Sequence, residues 1–291
     1  MRSITRKLTG ALLIFALLIA LTVPAAAKTE YTPPTVTELN VNRYSAIPIA
    51  YGGKNLSLPG RLISGVTYIS LRAITEAVGG KMTYRSATRT ATVTFSGMTF
   101  SVTDKSHLIE ANGRALYTSD PAVILSDGRM YLPVRIGAKI FSLGVTWNDR
   151  SRSVTLSGTA RPLTAGSVYY DADVLYWLSR IISAEAQGEP FEGQMAVGSV
   201  ILNRVRSADF PNTVWGVIFD KKNGVQFTPT ANGTVYRTPT ASAVLAARAV
   251  MEGYSVSDRA LFFMEPRIST SRWIERNRTY LFTVGHHDFY A

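Results

Sequence analysis

The chain has 291 residues, 46% of them hydrophobic and 18% charged, a globular balance with room for two domains once a processed segment is removed. It contains no cysteine, which excludes disulfides, thiolate zinc sites, a cysteine nucleophile and a lipid-modified N-terminal cysteine together. Its net charge of +11 is uneven: residues 28–160 hold 15 Lys+Arg against 8 Asp+Glu, and residues 161–291 hold 13 against 12. The N-terminal half therefore either attracts anionic partners or presents ordinary solvated basic faces.

Residues 1–27 read as a secretory signal peptide. Arg2, Arg6 and Lys7 form the basic start, Gly10 to Val23 the apolar core, and Ala25-Ala26-Ala27 the small-residue cleavage site. That apolar run falls short of the ~20 residues a spanning helix needs, so cleavage is expected to leave a secreted chain with no stable membrane span. Export disfavours nucleic acid as a partner and favours anionic wall polymers or a membrane surface. Residues 28–44, with Pro33-Pro34 and no periodicity, are expected to be a flexible lead-in.

Residues 61–157 repeat at a constant offset of 63. Tyr68-Ile69-Ser70-Leu71-Arg72 is echoed by Tyr131-Leu132-Pro133-Val134-Arg135, Tyr84 by Trp147, Arg89 by Arg152 and Val93 by Leu156. Each unit reads as a short strand, an amphipathic helix and a hairpin. Between the units, Asn112-Gly113 predicts a tight turn joining Leu108-Ile109 to Leu116-Tyr117. Arg72 and Arg135, at matching helix starts, are expected to tie helix to strand. These motifs resemble the copper amine oxidase N-terminal-like domain over residues 45–157, and the domain is expected to bind the cell wall rather than to hold a copper centre. This half has a single histidine, His107, whereas copper needs several imidazoles.

Residues 158–170 read as a linker. The second half, 171–291, opens with Asp171 or Asp173 as a cap for a helix from Val174 to Gln187 that stops at Gly188. On that helix Val174, Leu178 and Ile181 form an apolar stripe, and the next step lands on Glu185. A carboxylate buried there would hold its proton near neutral pH, as a general acid must; a helix-end glutamate turned to solvent is the competing reading. Pro190 suits the first position of the next helix, with Glu189 and Glu192 complementing its N-terminus. Val197, Ile201 and Val205 form that helix's stripe, and three residues back Gln194 brings a second polar group to the same junction. Asn212-Thr213 predicts a cap for a short helix, Lys222-Asn223-Gly224 a turn, and Thr238-Pro239 a further helix ending at Gly253. Residues 223–237 have the Gly, Thr and Pro content of either a substrate-lining loop or a plain connector.

Zinc hydrolysis needs three protein ligands, yet this half has only the adjacent His286 and His287, which a strand would point to opposite faces. No Gly-x-Ser-x-Gly elbow or glycine-rich phosphate loop is present. Neither metal nor cofactor is expected, and carboxylate acid/base chemistry remains. The run Ile181-Ile182-Ser183-Ala184-Glu185-Ala186-Gln187-Gly188-Glu189, followed by Phe210-Pro211-Asn212-Thr213-Val214-Trp215, Val225-Gln226-Phe227, Ala260-Leu261-Phe262-Phe263 and Gly285-His286-His287-Asp288-Phe289, resembles the spore cortex-lytic cell wall hydrolase family of the SleB/CwlJ type.

That resemblance covers residues 172–291. It implies an α+β chain in which the duplicated α+β domain precedes a mostly helical, lysozyme-like catalytic domain. It further implies a secreted enzyme of the cell wall or spore envelope that cuts peptidoglycan between N-acetylmuramic acid and N-acetylglucosamine as a lytic transglycosylase, in cortex lysis or wall remodelling. By position Glu185 would be the acid/base, and Gln226, Phe227 and His287 match motif positions expected to bind substrate, with a structural hydrogen-bonding role the alternative for His287; Gln194, from its stripe, is expected to be a further substrate-binding position. The alternatives are a muramidase, an N-acetylmuramoyl-L-alanine amidase, or a non-catalytic wall-binding protein. Gln187 and Ala186 replace an arginine and a serine common in relatives, and Met264-Glu265 an aromatic-asparagine pair, which bears on substrate preference.

Overall fold

Residues 40–222 and 224–291 are described in the computed structural model; the expected signal peptide, most of the lead-in and Asn223 of the expected turn lie outside the described residues. The two sequence repeats become two equivalent units. The strand Val66–Ser70 runs into α1 (Leu71–Ala77) and then the hairpin Lys81–Arg85/Thr90–Phe95. The strand Met130–Pro133 runs into α2 (Val134–Ile140) and then the hairpin Gly144–Asn148/Ser153–Ser157. The leading strands pair antiparallel in the register Tyr68↔Pro133, Ile69↔Leu132 and Ser70↔Tyr131. At an offset of 63 each of these pairs maps onto its mirror, so the units are related by a local two-fold through Ile69 and Leu132, the geometry of a self-complementary interface within one chain. Ile69, Leu71, Ile74, Leu132, Ala138 and Ile140 are fully buried around that axis.

The Asn112-Gly113 turn forms as expected, both residues having positive φ, and sets Leu108↔Tyr117 and Ile109↔Leu116 in register. Arg72 and Arg135 do something other than tie helix to strand: both are exposed, and Arg72 pairs with Glu76 one turn along its own helix. Each of these seven-residue helices buries four residues against the core, and position two of each lies on the remaining face.

The connecting segment is packed. Asn112 donates to the Leu163 carbonyl, α3 (Gly166–Tyr169) starts with its amide on the Asn112 carbonyl, and Tyr170 is buried. A Cβ at Gly166 would collide with the Gly113 backbone, so this approach requires glycine.

In the second half α4 (Ala172–Ala186) is capped by Asp171, whose side chain accepts from the Val174 amide. It packs on α5 (Phe191–Arg206) and on α8 (Ala241–Met251). Gly198 allows the close crossing, since a Cβ there would press on Ile182 and Val250. Helices α6 (Val214–Ile218), capped by Thr213, α7 (Thr228–Asn232) and α9 (Trp273–Asn277) are short. Pro190 occupies the cap of α5, one residue before the expected position, and α8 is capped by Thr240 rather than begun at Thr238. A three-stranded sheet, ordered Phe262–Met264, His287–Tyr290, Tyr280–Val284, closes the second core. Among the described residues no helix is long and apolar enough to cross a membrane.

The halves meet along α8 and the strand Arg114–Tyr117. Glu252, just past α8, takes two 2.6 Å hydrogen bonds from Arg114, one of 2.8 Å from Tyr170 and an ion pair with Lys139 at 2.8 Å. Its side chain and that of Arg114 are only 3% and 5% exposed. Burial alone would push the Glu252 carboxyl up, but the bonds from Arg114, Lys139 and Tyr170 outweigh it and hold the group below the usual carboxylate range. Tyr117 extends the contact by donating to Glu192 at 3.0 Å.

Candidate active site

A cleft of about 1570 Å³ runs across the second half between the end of α4, the 225–237 segment and the sheet. Glu185 sits in its wall, in the last turn of α4, carried there by the stripe through the fully buried Leu178 and Ile181. No hydrogen bond or ion pair reaches its carboxyl from the described residues, and burial pushes its pKa up to about 7. The negative end of the α4 dipole works in the same direction. The outward-turned alternative therefore gives way to a partly buried carboxyl that keeps its proton near neutrality and faces open space.

Gln226, Phe227 and His287 line the same cleft. The Gln226 side chain donates to the Gly224 carbonyl and accepts a 3.4 Å bond from Arg204. Phe227 is buried and leans on Phe263. His287 is 6% exposed, edge-on to Phe263, with its buried Nδ1 unpaired among the described residues. Burial lowers its pKa against the pull of Glu189, Glu265 and Asp288, which favours the neutral ring. Gln194 does not join them. It is buried behind the wall, its amide nitrogen bonded to the Glu189 carbonyl and its amide oxygen unpaired among the described residues. The stripe put it on a core face correctly, but that face looks into the protein.

Glu189 and Glu192 do tertiary work rather than helix capping. Glu189 accepts from the His286 amide at 2.8 Å and meets the His286 ring at 2.9 Å, clasping the Gly285-His286 turn. A Cβ at Gly285, whose φ is +58°, would fall onto that carboxylate. Glu192 answers Tyr117 of the other half.

Sequence reasoning missed Arg204, Asp220 and Asp209, and treated Glu265 only as a departure from pattern; all four line the cleft. Arg204 is 5% exposed, donates to the Leu261 carbonyl at 2.7 Å and lies over Phe210, Phe227 and Phe262. Burial lowers its pKa to about 10, opposed by Asp220. The signal was present, since a step of three beyond Ile201 on the α5 stripe lands on Arg204, much as a step of four beyond Ile181 led to Glu185. Asp220, Asp209 and Glu265 arrive on loops and a strand end, where no period marks them. Of the 223–237 segment, residues from Val225 to Arg237 contribute to the cleft lining, with α7 among them.

Residues 188–290 match the Cell Wall Hydrolase family and residues 52–156 the Copper amine oxidase N-terminal domain. A spore cortex-lytic enzyme of Bacillus cereus is 36% identical over 149 residues, covering 50% of this chain and 56% of that protein. Cell wall hydrolase CwlJ of Oceanobacillus iheyensis is 31% identical over 103 residues, 33% of this chain and 72% of that protein. The solved catalytic domain of the germination-specific lytic transglycosylase SleB from Bacillus anthracis is 38% identical, covers 42% of this chain and 97% of that one, and gives a TM-score of 0.39. The chain spans about half the length of the first of these relatives. Its second half carries the family's sequence through the cleft, and the chain belongs to the cell wall hydrolase family.

Proposed function

We propose that this chain is a secreted peptidoglycan lytic transglycosylase that cuts the glycan strand between N-acetylmuramic acid and N-acetylglucosamine, at the spore cortex or in the wall. The observation that carries the reading is Glu185: a carboxyl with a pKa of about 7, without a partner among the described residues, in the wall of a cleft of about 1570 Å³. It acts first as acid and then as base. Its proton goes to the glycosidic oxygen as the bond from the anomeric carbon breaks. The carboxylate left behind takes the proton of the muramyl 6-hydroxyl, whose oxygen bonds to the anomeric carbon, so Glu185 ends protonated and no water is consumed. Gln226, Phe227 and His287 are positioned to hold the sugars. The basic N-terminal half keeps the enzyme on the wall, where anionic polymers attract it.

A second reading, hydrolysis as a muramidase, is favoured by one feature: Asp220, Asp209 and Glu265 line the same cleft and could direct a water, for which two carboxylates are the usual requirement. Mass spectrometry of digested peptidoglycan separates the two. Anhydro-muramyl ends support transglycosylation, reducing muramyl ends support hydrolysis, and a freed peptide amine would point to an amidase. The Glu185→Gln variant should release glycan ends about 10²–10⁴-fold more slowly; unchanged cleavage by that variant would sink the assignment.

A further inference from the structure

A second crevice, of about 780 Å³, lies away from the catalytic cleft where the duplicated domain meets the α8 end. Its walls include Trp147, Arg135, Lys139 and Asp120 from the first half and Tyr254 from the second. We propose that this crevice is a second binding site for the peptidoglycan strand, with Trp147 as a sugar platform and Arg135 as the partner of a stem-peptide or lactyl carboxylate; it rests on the wall-glycan reading above.

Three observations carry it. Trp147 remains 39% exposed although it stands on a well-paired hairpin opposite Val154, and its indole nitrogen is fixed by a 2.7 Å bond to Asp149. A partly exposed indole anchored by its own N–H is the kind of amphipathic platform that receives a flat, partly apolar ligand. Arg135 is exposed next to it and takes part in no ion pair among the described residues, whereas Lys139 is committed to Glu252. A free guanidinium matches a carboxylate in shape and charge. The third observation is internal. The duplication places Tyr84 and Arg72 at the positions of Trp147 and Arg135, and beside the second unit Glu252, Gly253 and Tyr254 of the other half complete the crevice wall. There the aromatic is the larger indole, and the arginine is not spent on a neighbour as Arg72 is on Glu76.

The charge pattern selects the occupant. A polymer of repeating phosphates calls for an uninterrupted basic lining, and this crevice carries Asp120 opposite its cations. A strand of neutral N-acetylated sugars with scattered carboxylates tolerates both signs, because hydroxyl and amide groups donate to Asp120 while Arg135 takes the carboxylate. The volume lies within the range of sites that enclose a small ligand. Its floor is rigid, since the buried Arg114–Glu252 pair joins the two halves beneath it.

The test is equilibrium co-sedimentation of the full chain, carrying Glu185→Gln, with insoluble peptidoglycan stripped of teichoic acid. Trp147→Ala and Arg135→Glu should each weaken binding about tenfold, as loss of a central anchor does. Trp147→Phe should retain most of it, and Tyr84→Ala and the remote charge reversal Lys54→Glu should change it less than twofold. If Trp147→Ala fails to fold, shown by its thermal melt, the exposed Arg135 carries the test alone. Parent-like binding by Arg135→Glu, or an equal loss in Lys54→Glu, overturns the proposal, the latter by showing bulk charge at work. Binding only to peptidoglycan that retains teichoic acid overturns it in favour of a phosphate polymer. Binding is read without turnover, so its failure is separate from failure of Glu185 as catalyst, which is read from released products of the unsubstituted chain.

Discussion

Glu185 and Glu252 are both carboxylates drawn out of water, and they show opposite uses of burial. Glu252 is met by Arg114, Lys139 and Tyr170, its ionised form is favoured, and its work is to join two halves of the chain. Glu185 is met by no donor among the described residues, its pKa rises to about 7, and it can hold a proton near neutrality. Desolvation pushes both the same way, and only the neighbouring donors decide the outcome. A buried acid without partners is costly to the fold, and that combination in a cleft is the mark of a functional-site candidate.

The sharpest way to break the contrast is to remove each carboxyl in turn. Glu185→Gln should lower cleavage of peptidoglycan by about 10²–10⁴-fold, the usual contribution of a general acid, measured by release of glycan ends. The same variant should melt no lower than the parent, and higher above pH 7. The sign follows from linkage: the folded pKa of Glu185 lies above the unfolded value, so its ionisation costs stability as pH rises from the unfolded pKa through about 7. Glu252→Ala should do the reverse, costing on the order of 3–5 kcal/mol in denaturant unfolding because Arg114 is left buried without its counter-charge, while molecules that remain folded keep their cleavage products.

Two pH experiments sharpen the comparison with smaller effects. The parent's kcat/KM should fall about tenfold per pH unit above about 7 as Glu185 loses the proton it must donate. On the acid side, Glu252 has a depressed folded pKa, so its contribution is complete above the unfolded carboxyl pKa and is lost as pH falls through the folded one. Melting temperature should therefore drop in that window for the parent and less for Glu252→Ala. A parent and variant that lose stability in parallel would detach Glu252 from the acid response.

Much of the architecture was legible because it is periodic. The offset of 63 foretold two equivalent units, and the positive-φ demand of Asn112-Gly113 foretold the hairpin and its register. The α4 stripe foretold that Glu185 is drawn inward, and Asp171 was one of two expected caps. Gln194 shows the limit of the same rule: a stripe tells which residues leave the surface but not whether they face a cavity or a neighbour. Glu189 and Glu192 show another, since an acidic residue at a helix start satisfies the dipole equally well while its side chain answers a partner 97 or 75 residues away.

The sequence by itself thus determined the local and repetitive features, namely strand, helix and turn identities, the duplication, the family resemblance and the candidacy of Glu185, because each depends on residues a few positions apart or on a repeated pattern. Only the tertiary structure decided which buried charges are paired. Glu252 finds Arg114 across 138 residues, Arg204 reaches into the cleft beside Gln226, and Trp147 faces a crevice walled by the other half. The chemical character of a carboxyl is set by the donors and the water within a few ångströms of it, and chain separation carries almost no information about that neighbourhood.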